Sequence, residues 1–344
     1  MYRVPTDPVV SGLASPRPAR VAAAVAQPYT AVRFVETAVG PRVVAATTSA
    51  VDIIRAMPDG SLGVETVALP VSLSLTGVVD LNGDAQDDLL FTGSEVLSLL
   101  ADGAGSFVPA TVVPQSCFQP SLVHWGLDDP IDLVCWLLTL QPFVLDGSGE
   151  GTFSVGADVP TLADATAAVA DLDGDGRSEL VRVQGFVTDW LPIPPAGAEA
   201  SPLLPRSSGR RVLHTLATNN GPETVVALTE VGGFPGWGLL EAIFDGSVFR
   251  YSMSNPSIAY ADDVDGDGNG DLVFLAGAAG SPLFAILGAP GTDDGASPLG
   301  CLQIYEIPEP ASTSSVNAFG DLDGDGQLEL FSAGAMGLQH FVLQ

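Results

Sequence analysis

Lysine is absent from this chain of 344 residues, and all twelve basic residues are arginine. Against them stand 41 acidic residues, giving a net charge of −29. A surface of that sign repels nucleic-acid phosphates and anionic membranes, so neither is an expected partner. Histidine is equally scarce. His124, His214 and His340 fall in predicted strands of different repeat units, and their spacing does not suit catalytic zinc. No Gly-x-Ser-x-Gly elbow occurs, and no glycine loop precedes a helix to hold phosphate. The chain is therefore not expected to be an enzyme. No apolar run reaches the roughly 18 residues that a membrane helix needs. The N-terminus lacks a charged segment followed by an apolar core, so no signal peptide is expected within this sequence. Three cysteines, Cys117, Cys135 and Cys301, lack metal spacing. Cys135 reads as a core residue of an apolar strand. Cys117 and Cys135 belong near the same unit, which leaves a disulfide between them open. Aromatic residues make up only 7% of the chain, thin for a multivalent lectin.

What is plentiful is a short acidic loop. Asp171-Leu172-Asp173-Gly174-Asp175-Gly176-Arg177-Ser178-Glu179 is the central copy. It returns as Asp80-Leu81-Asn82-Gly83-Asp84-Ala85-Gln86-Asp87-Asp88, as Asp263-Val264-Asp265-Gly266-Asp267-Gly268-Asn269-Gly270-Asp271, and as Asp321-Leu322-Asp323-Gly324-Asp325-Gly326-Gln327-Leu328-Glu329. Side-chain oxygens stand at positions one, three, five and nine. The seventh residue (Gln86, Arg177, Asn269 or Gln327) can offer its backbone carbonyl. Ca²⁺ takes about six to eight hard oxygen ligands at about 2.3–2.6 Å, which such alternation on a tight turn supplies. Glycines at the fourth and sixth positions allow the positive φ of the turn. Four calcium sites are the expectation. Without the ion the crowded carboxylates repel one another, so folding should depend on it.

An EF-hand does not fit. It needs a glutamate at the twelfth position and flanking helices. Phe91, Arg182, Phe274 and Ser332 stand there instead. Each loop runs into a short apolar stretch bounded by glycine, which reads as a buried strand.

The run Asp-x-Asp-Gly-Asp-Gly-x-x-Asp/Glu before a strand resembles the FG-GAP/VCBS repeat, the integrin α-subunit type of β-propeller. The resemblance covers nearly the whole chain. It implies Ca²⁺ held between the first and second strands of a blade, and a ligand recognised on the opposite face.

Loop starts at 80, 171 and 263 are 91 and 92 residues apart, about two periods of a four-stranded propeller blade. Turns with too few ligands stand midway, at Gly126–Leu133 and Thr218–Glu223, and one period earlier at Glu36–Pro41. The tally is all-β: a seven-bladed β-propeller of four-stranded antiparallel blades, with calcium in the second, fourth, sixth and seventh. An eight-bladed ring and an open solenoid are the alternatives. The last spacing, 58 residues, holds an insertion at 289–300. Asp-Gly pairs at 59–60, 102–103, 146–147 and 245–246 are expected to turn third strands into fourth strands. The last blade ends one strand short. Residues 1–28 form an N-terminal segment whose stretch 19–26 should supply it and hide both edges, and 29–344 form the propeller.

Three readings of function follow. The first is a calcium-binding extracellular propeller that binds protein, as an adhesion or assembly module. Millimolar calcium outside cells favours that location. The second is a glycan-binding lectin. The third is a polysaccharide-processing enzyme. The aromatic-bearing segments 117–120 and 233–237 are candidates for the ligand face.

Overall fold

The computed structural model describes residues 24–25, 28–123, 130–136, 142–158 and 316–325, and elsewhere the strands named below. Its described residues form seven four-stranded antiparallel sheets and no helix. The first sheet is Ala31–Val35, Arg42–Ala46, Ala50–Ala56 and Leu62–Ala68. The second is Leu73–Val79, Asp88–Gly93, Val96–Ala101 and Phe107–Val113. Phe118–Val123, Asp132–Trp136, Pro142–Gly147 and Phe153–Asp158 make the third. The fourth is Thr166–Ala170, Glu179–Gln184, Val187–Pro192 and Ser201–Leu204. The fifth is Arg211–Leu216, Thr224–Glu230, Trp237–Phe244 and Ser247–Ser254. Ser257–Asp262, Asp271–Ala276, Leu283–Gly288 and Leu302–Glu306 make the sixth. Each of these six is a meander in chain order.

The seventh sheet differs. Val316–Gly320, Glu329–Gly334 and Gly337–Val342 are joined by Ala24–Val25 from the other end of the chain. Ala24 pairs with Gln339 and Val25 with Leu338. That pair falls inside the stretch expected to supply the fourth strand. Beyond it, the phenol of buried Tyr29 donates to Asp52, whose other oxygen accepts from Thr66 Oγ1 at 2.6 Å. Burial, the hydrogen bond and the charge of Asp52 all push the Tyr29 phenol up.

The apolar cores lie between sheets. Val44 and Ile53 of the first sheet pack with Leu89 and Phe91 of the second. Leu90 and Val96 of the second share a core with Leu133 and Leu145 of the third. Val32 and Ile54 of the first share another with Phe331 and Leu338 of the seventh. A single sheet buries too little by itself, so each face is completed by a neighbour. From the third sheet onward, the first strand of each sheet lies beside the first strand of the next, and that of the seventh beside that of the first. Close approach fixes glycine at one such seam: a Cβ on Gly320 would run into the Phe34 ring.

Asp59-Gly60 and Asp102-Gly103 lie in third-to-fourth-strand turns, as the sequence predicts, with Gly60 at φ 79° and Gly103 at φ 72°. Asp146-Gly147 does not. It closes the third strand, and the turn follows at Ser148, whose N–H donates to the Thr152 carbonyl at 2.9 Å. Gly147 is held back because its N–H donates to Asp132 Oδ1 at 2.8 Å. Asp245-Gly246 and the insertion 289–300 lie outside the described residues.

Cys117 and Cys135 form a disulfide with Cα atoms 5.0 Å apart, tying the entry of the third sheet to its second strand. Cys301 lies outside the described residues. The segment 117–120, expected to present an aromatic loop, instead enters the first strand of the third sheet with Cys117 buried. Trp237 opens the third strand of the fifth sheet, and 231–236 lie outside the described residues.

Candidate metal loops

The loop at 80–88 joins the first two strands of the second sheet. Asp80 organises it. Its Oδ1 accepts the N–H groups of Asn82 (3.2 Å), Gly83 (2.8 Å) and Asp84 (3.2 Å), and Oδ2 accepts that of Ala85 (2.7 Å). Burial works against its charge, but these four donors hold the carboxyl below its ordinary range. Asn82 Oδ1 accepts from the Asp84 N–H at 3.0 Å, and Asn82 Nδ2 donates to Asp84 Oδ2 at 3.3 Å. Positions one, three and five are thus drawn together. Gly83 adopts φ 77°, and Ala85 adopts φ 62° where the other loops carry Gly176, Gly268 and Gly326.

Asp88, at the ninth position, is fully buried. Its Oδ2 accepts the Leu81 N–H at 2.9 Å and its Oδ1 that of Ala101 at 2.8 Å. Burial pushes this carboxyl up to about 6; the two N–H groups pull it back, and Asp84 and Asp80 push it further. The seventh and eighth residues reach the neighbouring sheet. Gln86 Oε1 accepts the Ala38 N–H at 3.0 Å, and Asp87 Oδ2 accepts that of Glu36 at 2.6 Å. The Asp87 N–H returns a bond to the Glu36 carbonyl at 2.9 Å. Burial and the Asp87 charge raise the Glu36 carboxyl. The loop therefore docks on the ligand-poor turn Glu36–Pro41.

The loop at 321–325 is richer in carboxylates. Asp321 Oδ1 accepts from Gly324 (2.7 Å) and Asp325 (3.2 Å), and Asp323 Oδ1 from Asp325 (3.1 Å). One oxygen from each of Asp321, Asp323 and Asp325 lies within 4.8 Å of the others. Burial raises the Asp323 carboxyl, the Asp325 N–H opposes it, and the charges of Glu329, Asp325 and Asp321 add to the rise. Three hard, partly exposed anions converging in this way fit a divalent hard cation, which would neutralise their repulsion. Glu329 is buried behind them. Its Oε2 accepts the Leu322 N–H at 2.7 Å, and its Oε1 faces His340 Nε2 at 2.8 Å. The His340 ring stacks on Phe331 with centroids 4.4 Å apart.

The remaining loops are described only in part. Asp171, Asp173, Asp175, Arg177, Asp263, Asp265, Asp267, Asn269 and Gln327 lie outside the described residues, as does the side chain of Asp271. Glu179 is buried at the head of its strand. His214 and His340 lie in strands, and His124 is outside the described residues.

Sequence reasoning missed Asp132. It heads the second strand of the third sheet, as Asp88 and Glu329 head theirs, and it is buried. An acid directly ahead of the apolar run Leu133–Trp136 was the available signal, obscured because the residues before it lack the ligand pattern.

No protein-family model matches the chain, and no curated protein matches its sequence. Among solved structures, the fold is similar to that of a lectin from Agrocybe aegerita, described as specifically recognising non-reducing terminal N-acetylglucosamine. The TM-score is 0.55 over 80% of each chain, at 16% sequence identity. At that identity the likeness is one of fold.

Proposed function

We propose that the seven sheets form a closed seven-bladed β-propeller of the FG-GAP/VCBS kind. It carries calcium in the loops that start at 80, 171, 263 and 321, and works outside the cell as a non-catalytic glycan-binding module. The core shared by the first and seventh sheets supports closure. The carboxylate cluster at 321–325 supports calcium. A disulfide suits an oxidising compartment. The observation that carries the glycan reading is the fold-level likeness to a lectin across four-fifths of both chains. A rigid scaffold with loops on a broad face suits recognition. The deciding experiment is a glycan array probed in about 2 mM CaCl₂, near the extracellular level, and again in EDTA. Binding to terminal N-acetylglucosamine or another coherent sugar class is the expected result. A blank array from folded protein rejects the glycan reading.

The adhesion reading has one observation of its own. Val64, Val108, Val112 and Val155 are exposed on the fourth strands of the first three sheets. Outward apolar side chains on edge strands suit a protein partner. A partner captured by the wild type and lost on Val108→Asp with Val112→Asp would favour it.

A further inference from the structure

We infer that the acid at the ninth position is a staple that holds the first turn of a sheet against its own hairpin, with or without an ion. The inference deepens the calcium reading, on which the loop numbering rests. The second strands of the second, third, fourth and seventh sheets all open on a buried acid: Asp88, Asp132, Glu179 and Glu329. The contacts of Asp88, Asp132 and Glu329 repeat. Asp88 and Glu329 each accept the N–H of the second loop residue, Leu81 or Leu322. Asp88 and Asp132 each accept the N–H of the last residue of the third strand, Ala101 or Gly147. In the seventh sheet His340, also on the third strand, takes that place. Asp88 and Glu329 thereby each link loop, second strand and third strand, and Asp132 links the second strand to the third.

Asp132 separates this role from metal binding. The residues ahead of it, His124-Trp125-Gly126-Leu127-Asp128-Asp129-Pro130, lack the alternating ligands, yet the contact to the hairpin remains. A buried acid left without donors would be costly, so the donors and the acid belong together. Gly147 fits the same arrangement: a Cβ there would collide with the Ile131 carbonyl, so only glycine brings its N–H to Asp132. In the ligand-bearing loops the staple fixes the floor over which positions one, three and five converge.

The test compares Asp88→Ala, Asp132→Ala and Asp323→Asn by thermal melting in EDTA and in about 2 mM CaCl₂. Amide exchange of the wild type in EDTA reads the Leu81 N–H directly. The staple predicts a fall in the EDTA melting temperature of about 2–6 °C for both Asp88→Ala and Asp132→Ala. Asp323→Asn keeps an acceptor for Asp325, whereas alanine at 88 or 132 removes the acceptor altogether, so the Asp323→Asn value in EDTA should stay put while its calcium-induced rise shrinks. Leu81 should be protected in EDTA. If Asp88→Ala changes only the calcium-induced rise, or Leu81 exchanges in EDTA at the rate of a free amide, the inference is wrong. A wild type with no calcium-induced rise would instead remove the calcium reading, leaving the EDTA comparison to judge the staple alone.

Discussion

Replacing Cys117 and Cys135 together by alanine should cost the protein a calculable part of its stability. The bond spans 18 residues of chain. Closing a loop of that size removes conformational freedom from the unfolded chain worth about 3 kcal/mol at 25 °C. Both residues are buried, in a cluster with Leu133, Phe143 and Leu145. Alanine fills less of that space, which adds on the order of 1 kcal/mol. The expected loss is therefore about 3–4 kcal/mol, read as a lower urea midpoint at an unchanged slope. A reductant should lower the midpoint of the wild type and leave the double variant unmoved. A loss below about 1 kcal/mol would refute the entropic reasoning. An equal response of both proteins to reductant would refute the disulfide itself.

Three further predictions concern the loops. Calcium removal should lower the melting temperature: with a dissociation constant of about 0.1–1 mM per site and about 2 mM Ca²⁺, each site contributes roughly 0.6–1.8 kcal/mol. A melting curve identical in EDTA and calcium would reject the metal. The pH dependence has a defined sign. The Asp88 carboxyl is raised from 3.8 to about 6 in the folded state, so the folded chain binds more protons than the unfolded one between those values. The ion-free protein should lose stability as pH rises from about 4 to 6, and urea titrations in EDTA that instead show a gain there would contradict the burial of Asp88. Finally, Ala85→Gly relieves a left-handed backbone at φ 62° and should stabilise by about 0.5–1 kcal/mol; a loss of stability would mean that Ala85 carries no strain.

Much of the fold was legible because its signals are local. The loop spacing anticipates seven sheets, and Asp59-Gly60 and Asp102-Gly103 fall in the turns expected of them. The shortfall of one strand after Gly337 pointed back to the N-terminus, where Ala24–Val25 is found. The loop residues were legible for the same reason: ligand alternation lies within nine consecutive positions. What escaped depends on neighbours. Asp88 reads from the sequence as a ligand, and nothing near it in sequence shows that Ala101 also donates to one of its oxygens. Gln86 and Asp87 gave no sign of reaching Glu36 and Ala38, which are some fifty positions away. Asp146-Gly147 has the local signature of a turn, and a tertiary bond to Asp132 overrides it. Phe118 opens a strand paired with Trp136, next to a Cys117 bonded to Cys135, and neither partner is near it in sequence.

The seventh sheet has a mechanical consequence. Ala24–Val25 runs antiparallel to Gly337–Val342, so the N-terminal end of the one strand and the C-terminal end of the other lie at the same end of the sheet. Tension applied between the two ends therefore loads this contact one hydrogen bond at a time, as in opening a zip, rather than shearing the whole strand at once. The two pairs among the described residues, Ala24 with Gln339 and Val25 with Leu338, offer little resistance in that geometry. A chain anchored at both ends would yield first at this seam, at low force, while the other six sheets still held their pairing.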